Sequence, residues 1–316
     1  MKHEIMIPES AVLLITFNRS DNTREVFRQI KQAKIKKLYV ANDGPREGNE
    51  NDIIERERIK LLLQEVDWDC ELHTLFQEKN LGCGWGPATA ITWAFEKEDR
   101  LVVLEDDCVP ALAFFPFCNE MLERYKDDNR IWRISGRSCF PDADFFAGYD
   151  YIFTHYAPSW GWATWKRCWD HFDMNMLDIT KYLQEGGAEN YHFSTSQAAF
   201  SNYMLRQALN DKNLTSHIWD IQFAYLHIKN NGLGIVPTKN LIKNIGYIGT
   251  HFNKVHKFHL LDASNEYRVV NHPSFVITNN KYDKYYFKYS IRKLAFIPYW
   301  LELLLRKMKT FVKRIK

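Results

Sequence analysis

Glu105, Asp106 and Asp107 stand side by side directly after four apolar residues, 101–104 (LVVL). The apolar run predicts a short buried strand, and Pro110 with the apolar stretch 111–117 predicts a turn and the start of a helix. Adjacent carboxylates at the end of a buried strand repel one another and resist desolvation unless a cation neutralises them. Hard oxygen ligands at the carboxyl edge of an α/β sheet suit Mg²⁺ or Mn²⁺, ions that commonly bridge a protein carboxylate to substrate phosphates. An exposed acidic turn is the plain alternative for three isolated acids. The preceding strand and the surrounding chain favour the metal.

The elements that would position this triad follow a regular order. Residues 11–17 (AVLLITF) predict a buried strand, followed by the turn Asn18-Arg19-Ser20-Asp21 and a helix with Val26, Ile30 and Ala33 on its apolar stripe. Residues 37–41 (KLYVA) predict a second strand, ended by Asn42-Asp43-Gly44-Pro45. Residues 49–66 predict a helix whose apolar side carries Ile53, Ile54, Leu61, Leu62 and Val66, and 71–76 predict a third strand. Gly82, Gly84 and Gly86 break the chain before a helix over 88–96, and the acid-tipped strand comes fourth. This alternation implies a mostly parallel α/β sheet flanked by helices on both faces. Such sheets bind ligands beyond the carboxyl ends of their strands. The turns at Asn18-Arg19, Asn42-Asp43 and Glu105 to Asp107 should therefore share one crevice. There Arg19 could pair with a phosphate or meet a base, and Asp43 could accept hydrogen bonds from a ribose or a base edge. The glycines fit neither GxGxxG nor GxxxxGK[ST], which disfavours a dinucleotide fold and a P-loop ATPase.

After a short predicted strand at 130–136 the alternation fades. Residues 159–170 (SWGWATWKRCWD) hold four tryptophans, and Trp162, Trp165 and Trp169 have helical spacing, which predicts a core-facing helix. Trp160-Gly161-Trp162 at its start can serve as a sugar platform or as packing, because glycine lets a ligand approach the backbone closely. A helix is predicted from 217 to about 230, with Trp219 and Asp220 in its first turn, where an acid is also a natural cap. Residues 234–237 are a strand candidate. The glycine-punctuated loop 244–252 (NIGYIGTHF) holds His251, a candidate metal ligand beside an acidic cluster.

The 316 residues, 46% hydrophobic and 26% charged, suffice for one large α/β domain or two smaller ones. A net charge of +3 with no zinc-finger or RNA-binding motif gives no case for nucleic acid as partner. Six scattered cysteines without a CxxC pair argue against a zinc site and for free thiols in a reducing compartment. MKHEIMIPES lacks an apolar signal core and no run approaches the ~20 apolar residues of a membrane span, so a cytoplasmic protein is expected. Residues 290–316 carry eight Lys or Arg and one acid interleaved with apolar residues, the composition of an interfacial helix on an anionic membrane or of a terminal helix docked on the protein itself. Peripheral contact with the cytoplasmic membrane face through this tail is the expectation.

The ordered segments resemble the GT-A fold of nucleotide-sugar glycosyltransferases, and within it N-acetylglucosaminyltransferase I and its bacterial relatives. Phe17-Asn18-Arg19 is similar to that family's strand ending in a polar-Arg pair, and Val40-Ala41-Asn42-Asp43-Gly44 to its strand leading into an Asp turn. Val103-Leu104-Glu105-Asp106-Asp107 with Phe114-Phe115 resembles its metal motif, and Gly161-Trp162, Trp219-Asp220 and Gly249-Thr250-His251 resemble later segments. The likeness spans residues 10 to 255. It implies a catalytic domain over 1–260, with a nucleotide-binding half at 8–136 and an acceptor half at 137–260, and an extension over 261–316.

By that resemblance Asp107 would ligate Mn²⁺ or Mg²⁺, with Asp106 on the ribose or the metal's waters and Glu105 on the donor sugar. Arg19 and Asp43 would hold the uracil end of a UDP-sugar, with Thr16 and Asn18 beside them in the donor-binding set. His251 would approach the metal or pyrophosphate, Asp220 would be the general base, and Trp160, Gly161, Trp162 and Trp219 would meet the acceptor. The implied reaction is inverting transfer of a sugar to a hydroxyl of a glycan or lipid-linked acceptor. A sugar-phosphate nucleotidyltransferase would need a glycine in its triphosphate loop, and TFNRSDN has none. A non-catalytic carbohydrate-binding protein would not need the acid triad.

Overall fold

The computed structural model describes residues 9–210, 218–246 and 260–291. Four apolar strands, β1 (Ala11–Thr16), β2 (Lys37–Asn42), β3 (Glu71–Phe76) and β4 (Arg100–Glu105), lie parallel in the order β3-β2-β1-β4. Helices α1 (Ser20–Gln32), α2 (Glu50–Leu63) and α3 (Gly82–Phe95) connect them. β1 and β4 are buried along almost their whole length, as strands covered on both faces must be. The register pairs Thr16 with Asn42, Asn42 with Phe76 and Ile15 with Glu105, so the carboxyl ends of all four strands finish level.

The second half of the sheet is mixed rather than parallel. β6 (Ile131–Ser135), β7 (Tyr151–Thr154), β8 (Trp162–Trp165) and β9 (Leu233–Pro237) complete the eight-stranded order β3-β2-β1-β4-β8-β6-β9-β7. β8 runs antiparallel to both β4 and β6, β9 parallel to β6, and β7 antiparallel to β9. The carboxyl ends of β6 and β9 and the amino ends of β7 and β8 thereby join the same edge as Glu105. The fold is α/β: a large central sheet flanked by helices.

Four local predictions are corrected. The helix expected from Trp162 is a strand as far as Trp165, and only Lys166–Trp169 is helical. Both β4 and β6 need a ladder partner there, and the side chains alternate: Trp162 stacks toward Trp219, whereas Trp165 donates its indole N–H to the Leu122 carbonyl at 3.1 Å on the opposite face. The glycine stretch before residue 88 is itself helical, opening α3 at Gly82. Asp107 leads into a short strand, β5 (Cys108–Pro110), paired antiparallel with β10 (Ile242–Asn244), before helix α4 (Phe114–Arg124) begins. On α2, Ile53, Ile54 and Leu61 are half-exposed, while Asp52, Glu55, Ile59, Leu62 and Leu63 face inward. The two buried acids are held by donors of the turn after β1: Asn18 Nδ2 to Asp52 at 2.7 Å and the Ser20 N–H to Glu55 at 2.7 Å. Such bonds to ionised groups offset the burial of charge. All six cysteines are free, and among the described residues no helix is long and apolar enough to cross a membrane.

Candidate functional site

β4 delivers Glu105 to the sheet edge, and the turn that follows places Asp106 and Asp107 against Arg19, which precedes α1. Arg19 binds Asp106 through Nη2 to Oδ1 and through Nε to Oδ2 at 3.3 Å, and reaches Asp107 Oδ2 from Nη1 at 3.0 Å. Burial opposes the Arg19 charge, but Asp106 and Asp107 outweigh it and hold its pKa above the ordinary range. Burial also raises Asp106 to about 6, with Arg19 opposing and Asp107 adding to the rise. Glu105 is pushed up to about 8 by burial, then by Asp107 and Asp106. Two carboxylates thus share one guanidinium, and Glu105 stands beside them.

Asp107 is positioned from the opposite side by the β10 segment. Its Oδ1 accepts from Asn244 Nδ2 at 3.0 Å and from the Cys108 thiol at 3.3 Å, while its carbonyl accepts the Ile245 N–H at 2.8 Å. Gly246 passes so close that an added Cβ would lie 2.2 Å from Asp107 Oδ2. Among the described residues no three His, Cys, Asp or Glu side chains converge as a ready-made metal cage. Asp107, with Asp106 beside it, instead fits a hard divalent ion that takes one or two carboxylates and completes its coordination with water and phosphate oxygens. His251 lies outside the described residues.

The remaining donor-side residues are engaged with the protein. Thr16 is buried, donates to the Ala41 carbonyl at 3.1 Å and accepts from Asn42 Nδ2 at 2.9 Å. Asn18 is turned to Asp52. Asp43 accepts the N–H groups of Gly44 (2.8 Å), Leu81 (2.8 Å) and Gly82 (2.9 Å), together with Asn80 Nδ2 at 3.1 Å. Burial keeps its pKa raised in spite of the backbone donors. Asp43 therefore pins the amino end of α3 to the crevice, and that end brings Cys83 with it. Partial burial raises the Cys83 thiol, and the charges of Glu105, Asp220 and Asp43 raise it further. The Cys83 thiol thus lies within electrostatic reach of carboxylates from β4, the β2 turn and the helix Asp220–Lys229.

Asp220 is exposed at the start of its helix, and its charge also acts on Glu105. Of the aromatic residues expected at the acceptor, Trp162 is fully buried; it stacks on Trp219 with ring centroids 5.5 Å apart and touches Phe223 at 4.7 Å. Neither it nor the nearly buried Trp219 presents a ring as a platform; both are packing beneath Asp220. Trp160 is half-buried, with the Arg137 guanidinium 4.9 Å from its ring centre. Gly161 is buried with φ +61°, and a Cβ there would collide with Ile242 at 2.3 Å, so this glycine serves the close approach of β10.

Asn80, Cys83, Asn244 and Gly246 were not expected at the site. Their one sequence signal was glycine, in GCGWG and NIGYIG, where the chain must pass close to another group.

No known protein family and no curated protein matches the sequence. Solved structures that resemble it include a UDP-glucose pyrophosphorylase complexed with UDP-glucose, at 8% identity and TM-score 0.30 over 52% of this chain and 78% of that one. Another is the 4-diphosphocytidyl-2C-methyl-D-erythritol synthase of Anaerococcus prevotii, at 10% identity and TM-score 0.30 over 64% of this chain and 84% of that one. A third is the glycosyltransferase GlyE of Streptococcus pneumoniae, at 12% identity and TM-score 0.31 over 63% of this chain and 43% of that one. Likeness at this level assigns neither a family nor a reaction.

Proposed function

We propose that this chain is a divalent-metal-dependent, inverting glycosyltransferase of GT-A type, using a nucleotide-diphosphate sugar, UDP-linked, as donor and a hydroxyl of a glycan or lipid-linked molecule as acceptor. The observation that carries this reading is that Asp106 and Asp107 close on the single guanidinium of Arg19, with Glu105 beside them, at the level ends of the parallel strands.

Asp107 would hold Mn²⁺ or Mg²⁺, with Asp106 on its waters or the ribose. A bound divalent ion supplies Lewis-acid stabilisation of the negative charge that builds on a departing diphosphate. Arg19, now spanning Asp106 and Asp107, is in position to turn to donor phosphate once those acids are otherwise neutralised. Asp220 takes the proton of the acceptor hydroxyl as it attacks the anomeric carbon from the face opposite the diphosphate, a contribution typically worth ~10²–10⁴-fold in rate. Asn244 and Gly246 fix the orientation of Asp107, and Asp43 with Asn80 fixes the α3 end that closes the crevice.

Calorimetric titration with UDP and a panel of UDP-sugars, with and without Mn²⁺, tests the reading. Saturable binding that needs the metal is the expected result. A preference for nucleoside triphosphate would indicate nucleotidyl transfer instead, and binding of free sugars with no nucleotide would indicate a carbohydrate-binding protein.

A further inference from the structure

Arg133 sits in the middle of β6 with 8% of its surface exposed. Its Nε has no hydrogen-bond partner, and among the described residues no carboxylate lies within ion-pair distance of it. The buried Arg137, two residues on, instead donates Nη1 to the Ile242 carbonyl at 3.1 Å. Among the described residues Arg133 keeps a contact with the Phe223 ring, 4.6 Å from guanidinium carbon to ring centre. Burial lowers its pKa to about 10, which leaves it protonated at neutral pH, and Tyr191, Tyr286 and Asp220 oppose that fall. His227, on the same helix as Phe223, is held neutral by burial and then by the Arg133 charge; its Nε2 also lacks a partner.

Burying a charge without a counter-ion is costly, and an apolar residue of similar size would be the more stable choice. What such a residue offers is a rigid fork of donors matched to a carboxylate or a phosphate. Its location says which molecule carries that anion. Phe223 lies three residues after Asp220, one helical turn along the same face. The guanidinium against Phe223 therefore lies within about one helical turn of the proposed base. We infer that Arg133 is the receptor for an anionic group, a carboxylate or a phosphate ester, on the sugar acceptor that Asp220 deprotonates. This assignment rests on the transferase reading.

The test uses the full chain and three probes, glucuronic acid, glucose 6-phosphate and glucose, titrated calorimetrically into wild type, Arg133→Lys and Arg133→Met. Wild type should bind an anionic probe at least about tenfold tighter than glucose, and the preferred anion distinguishes carboxylate from phosphate. Arg133→Met should abolish that preference and Arg133→Lys retain part of it, with binding of UDP and Mn²⁺ unchanged in both. Thermal unfolding supplies a second measurement: Arg133→Met should melt no lower than wild type, because among the described residues the lost charge has no carboxylate partner. Equal binding of anionic and neutral probes by wild type overturns the inference. So does a preference that survives in Arg133→Met, or a lowered melting temperature with unaltered probe binding. Loss of UDP binding in Arg133→Met would reassign the residue to the donor diphosphate. Failure of wild type to bind UDP with Mn²⁺ would sink the transferase reading separately, while the anion preference still reports on Arg133.

Discussion

The two halves of the sheet meet the same crevice with opposite materials. The parallel half, β3-β2-β1-β4, brings charge: Arg19, Asp43 and the three carboxylates, together with the buried acids Asp52 and Glu55 behind them. The mixed half, β8-β6-β9-β7, brings rings: Trp162, Trp169, Trp219 and Phe223 form one aromatic cluster beside Asp220, in which Trp162 stacks on Trp219 and the other pairs are tilted. Parallel strands finish level, and their turns can gather like charges around a shared counter-ion. The mixed half instead supplies an apolar floor, with Arg133 and Arg137 buried in it and Asp220 exposed at the start of its helix.

Substitutions can separate these roles. Asp107→Ala should abolish Mn²⁺-dependent UDP binding in calorimetry; binding that persisted would show that the charged half is not the metal-bearing half. Asp220→Asn should lower turnover by ~10²–10⁴-fold while leaving the donor dissociation constant unchanged. If turnover stayed intact, the base would have to be sought elsewhere. Trp162→Ala should cost about 3–5 kcal/mol in urea unfolding, as expected for a large aromatic side chain removed from a core, and should spare metal-dependent UDP binding wherever the protein stays folded.

The smallest effect is expected at Asp52, whose carboxyl is lowered to about 2, first by Arg46, with Asn18 adding to the effect. A carboxyl depressed in the folded state stabilises the fold above its ordinary pKa of 3.8, and that stability is lost as pH falls through about 2. Asp52→Asn should therefore lower stability by about 1–3 kcal/mol at neutral pH, and the difference from wild type should shrink towards pH 2. A difference independent of pH would mean that packing, rather than charge, holds α2 to the turn after β1.

The charged half was largely legible in the sequence because its strands are continuous apolar runs and its turns carry polar residues directly after them. Leu101 to Leu104 running into Glu105 is visible without any long-range knowledge. The mixed half was less legible. Trp162 and Trp165 have a spacing that a helix and a short strand share, and only the open ladder positions between β4 and β6 decide between the two. The α2 face was misjudged for a related reason: Asp52 and Glu55 turn inward because Asn18 and Ser20 wait there, more than thirty positions earlier in the chain. The Asn244–Asp107 contact spans 137 positions, beyond anything local pattern can report. Arg133 carries no sequence mark at all, since its distinction is that among the described residues no carboxylate lies within ion-pair distance of it.

The Trp162–Trp219 pair lies with ring planes 22° apart, and Trp219 is the residue immediately before Asp220. Two indoles at that separation couple their electronic transitions, so the pair is an intrinsic chromophore whose near-ultraviolet circular dichroism reads the tilt between the rings. Any ligand that shifts the first turn of the Asp220 helix will change that signal, giving an optical record of site occupancy without a label.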